Sequence, residues 1–404
     1  MDLPVGKRIK HYRDRAGMSR PVLAGLLGKS AEWLKAVETG RIQTPRLPML
    51  LRIAQALELD DLADLTGNGH AVPVSVYAGP RHAALSEVQA ALTEYRVTRV
   101  TAAPASVPHL AERLRMAWLV RHSSSDHRTQ LGSLLPGLIR DAQATARALR
   151  GEERRAARVV LSGVYQLADF YVAYQPSPEL VWMVADRALT EAQEADDPYA
   201  MAGGSWAMVQ ALRDAGRWDE AITLATDARD LLLPYLDTAP DDWRGMAGAL
   251  DAEIAYVHAR RGRHGDAWAH WEAAERTAQR LGADYRHTQT SFSRSVMQAH
   301  AVTLGVELRR TGEARRAANA LDPGLIPSLA RRGRHLIEVA RIHAQEGDGP
   351  GTLALLDRAQ RVASETISFN GYARDMLIDL HKRPPAGERE AVRDLVGRVG
   401  LAIA

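Results

Sequence analysis

The chain has 404 residues, of which 46% are hydrophobic and 25% charged, and its formal net charge at pH 7 is +3. This length suits two or more folded domains, and the absence of cysteine excludes disulfides and thiolate metal sites. No segment approaches the ~20 apolar residues of a membrane span, and the basic N-terminus lacks the apolar core of a signal peptide. Abundant Ala, Leu and Arg favour helix, so we expect an all-α protein. Because neither a membrane span nor a signal peptide is predicted, we expect it in the cytoplasm.

Two helices are predicted at the start of the chain. The first, Val5 to Ala16, has apolar residues at helical spacing and stops at Gly17. The second begins at Ser19, with Pro21 in its first turn, where a missing N–H needs no partner. Its apolar residues, all expected to be buried, are Val22, Leu23, Leu26 and Leu27.

A third, short helix is predicted between Ser30 and Gly40. Ser30 can accept a hydrogen bond from a first-turn N–H, and Gly40 can adopt the left-handed conformation that ends a helix. Leu34 and Val37 are three residues apart and predict a narrow buried stripe. The outer face then carries Ala31, Glu32, Lys35 and Ala36. Two further helices are predicted over Met49 to Leu57 and Asp61 to Leu65.

This region resembles the DNA-binding domain of the XRE regulators, the family related to the phage Cro and lambda repressors. The resemblance covers about Val5 to Leu65. It is carried by Ser19, by the L-A-x-x-L-G run at residues 23–28 and by the V-E-x-G ending at residues 37–40. It implies a lambda repressor-like helix-turn-helix fold whose partner is double-stranded DNA.

In this family the third helix lies in the major groove with its N-terminal residues at base edges. The positions implied for the DNA interface are Arg20, Ser30, Ala31, Glu32 and Lys35 on the two helices, followed by Arg41 and Arg46 for phosphates. Arg20 can pair with guanine, Glu32 can accept from a cytosine amino group and Ala31 can touch a thymine methyl. Lys35 can reach a base or a phosphate. Arg20, where many members have Gln, and Trp33 depart from the family pattern, so no base preference is carried over.

The charge distribution favours the same interpretation. Residues 1–52 contain eleven Lys and Arg against four Asp and Glu, a net charge of +7, which leaves −4 for the remaining chain. A basic N-terminal region on a mildly acidic body suits a protein that attracts phosphate with one end. The alternative is that these charges only solvate helix faces.

The remaining chain is predicted to form a linker and helical repeats. Gly216, Gly262 and Gly312 each stand five residues before an alanine, and a fainter copy at Gly347 has Thr352 in the alanine position. This pattern resembles the tetratricopeptide repeat, although the glycines are 46, 50 and 35 residues apart. A different helical bundle is the alternative. The predicted domains are residues 1–66, the helix-turn-helix domain; 67–109, a linker with one helix over 86–100 that could instead form a dimer contact; 110–383, the repeats; and 384–404, a C-terminal capping helix.

In tetratricopeptide-like repeats the first helix of each pair lines a concave groove. The resemblance places the following residues there: Tyr165, Asp169, Trp206, Gln210, Arg213, Tyr256, Arg260, Arg309, Arg310, Arg334 and Arg341. Aromatic rings and arginines suit an extended peptide, because a guanidinium pairs bidentately with a carboxylate. The alternative is that these aromatics pack between repeats and the arginines solvate the surface.

The combined architecture is similar to that of peptide-sensing quorum regulators. It implies a homodimer on a palindromic operator, with a signalling peptide or small molecule in the repeat groove. The alternative is a DNA-tethered scaffold whose repeats bind a protein partner constitutively. No catalytic pattern is present: Gly28-Lys29-Ser30 ends like a phosphate-binding loop, but Leu23 stands where that loop needs glycine. We expect no enzymatic activity, no cofactor, no metal and no membrane partner.

Overall fold

The computed structural model describes residues 3–41, 47–57, 59, 62–67, 80–95 and 104–401. Within these ranges every regular element is a helix, 21 α-helices and two short 3-10 helices, which confirms the all-α prediction. In the same ranges, no helix is both long enough and apolar enough to cross a membrane.

The chain divides into two compact units, residues 1–80 with 377–404, and residues 81–376. We call them the head and the body and describe each by itself. The first helices are α1 Val5–Arg15, α2 Arg20–Leu26, α3 Ala31–Glu38, α4 Leu47–Ala56 and α5 Ala63–Thr66. Those that follow are α6 Leu85–Leu92, α7 Val107–Ser123, α8 His127–Ala148, α9 Gly151–Val172, α10 Pro178–Ala195, α11 Pro198–Asp214, α12 Trp218–Leu232, α13 Asp241–Arg260, α14 His264–Leu281, α15 Arg294–Glu307, α16 Thr311–Asn319, α17 Leu329–Gln345, α18 Gly349–Val362, α19 Ser364–Phe369, α20 Gly371–Lys382 and α21 Arg389–Val399.

Capping residues in the sequence set the ends of helices α1 to α3. The hydroxyl of Ser19 accepts a hydrogen bond from the Val22 N–H, and that of Ser30 accepts one from the Trp33 N–H at 3.1 Å. The turns that follow the three helices each contain a glycine with positive φ: Gly17, Gly28 and Gly40. The predicted helix-turn-helix is confirmed.

The core of the head fixes α3 against its neighbours. A Cβ atom added at Gly6 would lie 2.2 Å from the carbonyl oxygen of Val37, so α1 rests directly on the backbone of α3. The largest fully buried side chains around this contact are Ile9, Leu23, Leu27, Leu34, Ile53 and Leu65.

Three side chains of the head differ from expectation. Val22 and Leu26, predicted to be buried, are 54% and 58% exposed, because α2 packs through Leu23 and Leu27 on its other side. Ala36, predicted on the outer face of α3, is buried. The buried stripe of α3 is therefore wider than the spacing of two apolar residues indicated.

The helix predicted in the linker lies in the core of the body. Leu85, Val88 and Leu92 of α6 are buried in one cluster with side chains of α7, α8 and α9. The Arg187 guanidinium on α10 donates to the Leu92 carbonyl at 2.6 Å. This helix is thus part of the body's own packing.

Successive helices of the body pack as pairs, α11 with α12, α13 with α14, α15 with α16 and α17 with α18. Each first helix of these pairs ends two residues before one that has positive φ: Gly216, Gly262, Arg309 and Gly347. Five residues further on, each second helix buries a small side chain against its partner: Ala221, Ala267, Ala314 and Thr352. The body is therefore built from helical repeats.

The predicted register of the third pair is wrong by three residues. Gly312 lies inside α16, and the left-handed turn residue is Arg309, with φ +56. The buried alanine is accordingly Ala314 instead of Ala317. Gly305 allows this pairing, because a Cβ there would lie 2.8 Å from both the Cβ and the backbone nitrogen of Ala314.

The two ends of the body meet. Helix α7 packs against α17, and the ring nitrogens of His122 hydrogen-bond with Ser328 at 3.0 Å and with the Thr288 carbonyl at 2.9 Å. The Thr129 hydroxyl on α8 donates to Glu365 on α19 at 2.6 Å. The series of helix pairs is therefore closed on itself.

Candidate nucleic-acid interface and interior ligand surface

A buried carboxylate ties the first three helices together. Glu38, at the end of α3, is 1% exposed. The Arg13 guanidinium of α1 donates to both of its oxygens, at 2.6 and 3.2 Å, and the Arg20 Nε of α2 donates at 2.6 Å. Although burial opposes it, the pKa of Arg13 is raised, chiefly by its hydrogen bond to Glu38. The position of α3 is thus fixed by charge-assisted hydrogen bonds as well as by packing.

The outer face of α3 presents polar side chains to solvent. Glu32 and Lys35 are exposed, Ala31 is half-buried and Ser30 is engaged as the N-cap. An Arg41 Nη2 lies 3.8 Å from Glu32, and both side chains are largely exposed. Arg20 is one-third exposed, with its Nε held by Glu38. Arg46 lies outside the described residues, so its predicted role stays a prediction.

Within the body, charged and aromatic side chains of the first helices α11, α13, α15 and α17 meet one another and Tyr372 of α20. We call this group the interior cluster. Its members are Arg213, Asp214, Glu253, Tyr256, Arg260, Glu307, Arg334, Glu338, Arg341 and Tyr372.

One half of the interior cluster is centred on Arg213, which is 5% exposed. Its guanidinium pairs with Glu253 and, through Nε at 3.0 Å, with Asp214. It also lies 4.8 Å from the ring centroid of Tyr256. The second partner of Asp214 is Arg260 at 3.1 Å.

The other half is centred on Glu338, which is fully buried. It accepts hydrogen bonds from Arg334 and Arg341, each at 2.7 Å. Burial raises the pKa of Glu338, but the two guanidinium charges outweigh this effect and hold it below its ordinary value. Arg341 also pairs with Glu307 at 2.8 Å and lies 3.7 Å from the Tyr372 ring centroid.

The two halves meet at Tyr256. Burial raises the pKa of its hydroxyl, and the charges that also act on it belong to Arg334, Glu307 and Arg213. Asp169 of α9 lies beside Arg213. Burial, followed by the charge of Asp214, raises the pKa of Asp169 to about 8, and its Oδ1 has no hydrogen-bond partner among the described residues.

Other predicted groove residues lie elsewhere. Tyr165 is buried beside α8, where its hydroxyl accepts a hydrogen bond from Gln143 at 2.9 Å. Trp206 is 2% exposed and packs on Phe170, with ring centroids 5.6 Å apart. Gln210 hydrogen-bonds within its own helix, to the Trp206 carbonyl. Arg309 lies in the turn after α15.

Residues 4–65 match the model of a family described as helix-turn-helix domain. The head carries a DNA-binding helix-turn-helix domain. Among solved structures, ComR from S. thermophilus, in complex with DNA and its signalling peptide ComS, aligns at 16% identity over 74% of this chain and 99% of its own, with a TM-score of 0.28. Ton1535 from Thermococcus onnurineus NA1 aligns at 12% identity over 73% and 94% of the two chains, with a TM-score of 0.27. No curated protein matched the chain.

Two cations near the helix-turn-helix turn were not assigned to the DNA interface from the sequence. Lys29 is exposed and lies 6.0 Å from the Trp33 ring centroid. The nearest atom to a Cβ built on Gly28 is Nη2 of Arg52, at 4.0 Å. For the DNA interface both counted only in the net charge, because the proximity of Arg52 to the turn is visible only in three dimensions.

Sequence analysis did not assign four carboxylates of the interior cluster to the groove: Asp214, Glu253, Glu307 and Glu338. For Asp214 and Glu307 the equivalence of position is apparent only in the correct repeat register. In the corrected register, Asp214, Arg260 and Glu307 occupy one equivalent position, two residues before the turn residue of each pair. The groove residue of the third pair is therefore Glu307, where the sequence had placed Arg309. The spacing of Arg334, Glu338 and Arg341, at i, i+4 and i+7, is the one signal that could have indicated their pairing.

Proposed function

We propose that this protein is a sequence-specific, homodimeric transcription regulator of the cytoplasm, and that its repeats bind a peptide or small molecule that alters its affinity for a palindromic operator. The observation that carries the proposal is the outer face of α3. Glu32 and Lys35 are exposed there while Glu38, on the opposite side, is locked to α1 and α2. No catalytic step is part of the proposal.

In a dimer, the spacing between the two copies of α3 selects an operator with two half-sites. We call α3 the recognition helix in this role. Two recognition helices reach successive major grooves when they are ~34 Å apart, one turn of the duplex. A ligand that binds more tightly to the form of the dimer with this spacing increases the population of that form. The sign of the effect depends on which form the ligand prefers.

The interior cluster supports a ligand of peptide type. It combines both signs of charge, paired with one another, with two aromatic rings, Tyr256 and Tyr372, in one cluster. A peptide that exchanged one of these internal ion pairs for its own carboxylate or amide groups would find guanidinium, carboxylate and aromatic partners together.

The test is selection of bound fragments from random duplex DNA with the full-length protein, followed by sequencing. We expect enrichment of a palindrome with half-site centres ~10 bp apart. Enrichment of a single half-site would contradict the dimer, and an unenriched pool would contradict sequence-specific binding.

Variants of the α3 region separate base contacts from phosphate contacts. Lys35→Ala is expected to cost ~1–3 kcal/mol on the selected operator and to relax specificity at one base pair. Arg41→Ala is expected to weaken all sequences similarly and to reduce the salt slope by ~1. Fluorescence anisotropy on selected and scrambled duplexes measures both. A uniform loss for Lys35→Ala would make Lys35 a phosphate contact.

Ligand binding is tested by thermal unfolding of the full-length protein with a fraction of culture extract below a few kilodaltons. A sensor gains stability in proportion to ligand saturation. If the fraction has no effect and only large proteins are retained on the immobilised chain, the repeats act as a scaffold for a protein partner.

A further inference from the structure

Arg121 and Arg331 of the body differ from the arginines of the interior cluster, because no carboxylate forms an ion pair with either of them among the described residues. Arg213 and Arg341 each pair with two acids. Arg121, at the end of α7, and Arg331, in the first turn of α17, have no carboxylate within ion-pairing distance in the part of the chain that the structure describes. A desolvated charge without a counter-charge is costly, so its presence requires an explanation.

The guanidinium of Arg121 is held against an aromatic ring. Its Nε and Nη1 atoms are shielded from solvent and have no hydrogen-bond partner among the described residues. Its carbon lies 4.9 Å from the ring centroid of Phe170 on α9. The ring supports the cation on one face and leaves the donors at its edge unused.

Arg331 lies at the same junction. Its Nη2 donates to the Thr290 carbonyl at 3.0 Å, and its backbone N–H donates to Ser328, the N-cap of α17. The same Ser328 hydroxyl hydrogen-bonds with His122, the neighbour of Arg121. The end of α7 and the start of α17 are therefore joined where the series of helix pairs closes.

This junction carries an excess of positive charge. Burial lowers the pKa of Arg331, although the charge of Glu253, which forms no ion pair with it, acts in the opposite direction. Burial, with the charges of Arg128 and Arg331, lowers the pKa of Arg121 to about 9. Burial, with the charges of Arg121 and Arg331, lowers the pKa of His122 to about 3, so this histidine stays neutral at pH 7. Tyr174 is close enough to act on both arginines, is 52% exposed and has a φ of +65, a strained value for a residue other than glycine.

We propose that Arg121 and Arg331 form an anion-binding subsite that takes a carboxylate or phosphate group of the molecule bound by the repeats. This inference rests on the proposed function and specifies the chemistry of its ligand. The planar guanidinium groups present unused donors, and an anion would supply the counter-charge that Arg121 lacks and that reaches Arg331 only from Glu253, with which it forms no ion pair. Since the two arginines are on α7 and α17, the anion would bridge the two ends of the body and favour the closed arrangement over an open one.

The subsite is tested by thermal unfolding of the full-length protein in inorganic phosphate and in chloride at equal ionic strength. For the wild type we expect a saturable rise of ~2–4 °C in phosphate. Arg121→Gln and Arg331→Gln should abolish the rise. Each should also melt higher than wild type in chloride, because an unpaired buried charge has been removed. A merely structural role would lower the melting temperature of both.

Two controls keep the result interpretable. Arg276→Gln removes an exposed arginine of α14 and should leave the phosphate response unchanged. Arg121→Lys keeps the charge without the bidentate fork and should weaken the response without abolishing it. A double variant, Arg121→Gln with Arg331→Gln, that still responds like wild type would overturn the subsite.

A second probe distinguishes the source of the anion. Trialanine with a free C-terminal carboxylate is compared with its C-terminal amide. Stabilisation by the free acid alone identifies a carboxylate site, and stabilisation by inorganic phosphate alone identifies a phosphate site. Stabilisation by neither overturns the proposal.

Affinity for the selected operator is measured on the same samples. Specific DNA binding without any anion response removes the subsite and leaves the proposed function in place. An anion response without specific DNA binding supports the subsite and contradicts the proposed function.

Discussion

Glu38 illustrates how much of the head depends on one side chain. Its two carboxylate oxygens receive hydrogen bonds from α1 and α2 while its own backbone belongs to α3. The residue is 1% exposed, so none of this charge is solvated. The orientation of α3 therefore depends on three charged groups that must all be present together.

Replacement of Glu38 by Ala is expected to destabilise the head by ~3–5 kcal/mol, because Arg13 would remain buried without a counter-charge. Hydrogen exchange of the α1–α3 amides in the full-length protein measures this change. Glu32→Ala is the matched control, since its 3.8 Å contact with Arg41 is exposed and its loss should change stability by less than about 1 kcal/mol. Equal effects of the two changes would show that burial adds nothing to the Glu38 interactions.

The contacts of Glu38 could not be predicted from the sequence. Arg13 and Arg20 stand 25 and 18 residues before it, and no periodicity relates residues on three helices. Val22 and Leu26 were misassigned for a different reason. Helix α2 carries two adjacent apolar columns on seven residues, and only the column of Leu23 and Leu27 can face the core.

At the level of elements, helix ends were the most predictable feature of the fold. Ser19, Ser30 and the glycines that follow α1 to α3 are local signals that act within four residues of the position they control. The predicted register of the third helix pair was wrong because Arg309 adopts the left-handed conformation that glycine supplies in the other three pairs. The true register follows from this conformation of Arg309 and from the packing of Gly305 against Ala314.

That packing predicts the effect of a small substitution. Helix propensity alone favours Gly305→Ala by up to ~1 kcal/mol. The added methyl group would lie 2.8 Å from Ala314, so α15 and α16 must separate, and we expect a net loss of ~1–3 kcal/mol in urea unfolding. Gly137→Ala on α8 is the control, because its nearest neighbour is the flexible end of Arg113 at 3.6 Å; it should be neutral or stabilising. A stabilised Gly305→Ala variant would contradict the close approach.

At the scale of the whole molecule, buried neutral histidines set the response to pH. Burial is the largest cause that lowers the pKa of each of them, to about 3 in His122, 2 in His127, 4 in His287, 3 in His300 and 4 in His335. Their unfolded pKa is ~6.5. The stability that they contribute is complete above pH 6.5 and is lost as the pH falls towards these folded values.

We therefore expect the melting temperature to fall steeply between pH 6.5 and pH 4, as measured by calorimetry in buffers of equal ionic strength. Asp169 acts in the opposite direction, because its pKa is raised to about 8 and its ionisation destabilises the fold as the pH rises from ~4 to 8. Below pH 6.5 the loss of stability from five histidines is larger than the gain from one carboxyl group. The variant Asp169→Asn isolates the smaller effect, and its gain in stability should grow from pH 5 to pH 8. A melting temperature that does not change between pH 7 and pH 4 would contradict the buried, neutral histidines.

The closure of the body has no counterpart in the sequence pattern. His122 and Ser328 are 206 residues apart, and the repeat signature relates each helix only to its neighbours. The predicted set of groove residues therefore stays a prediction. Arg213, Tyr256, Arg260 and Arg341 lie in one cluster, and their carboxylate partners and the junction of α7 with α17 could not be predicted from the repeat pattern.

This closure changes how the body loses its structure. In an open array of repeats the terminal units have one neighbour each, so they fray first and the array unravels from its ends. Helices α7 and α17 each have neighbours on both sides, and the body has no weakest terminal unit from which unravelling starts. Its repeats should therefore unfold together as one cooperative unit, and damage to the junction should convert a single transition into a graded one.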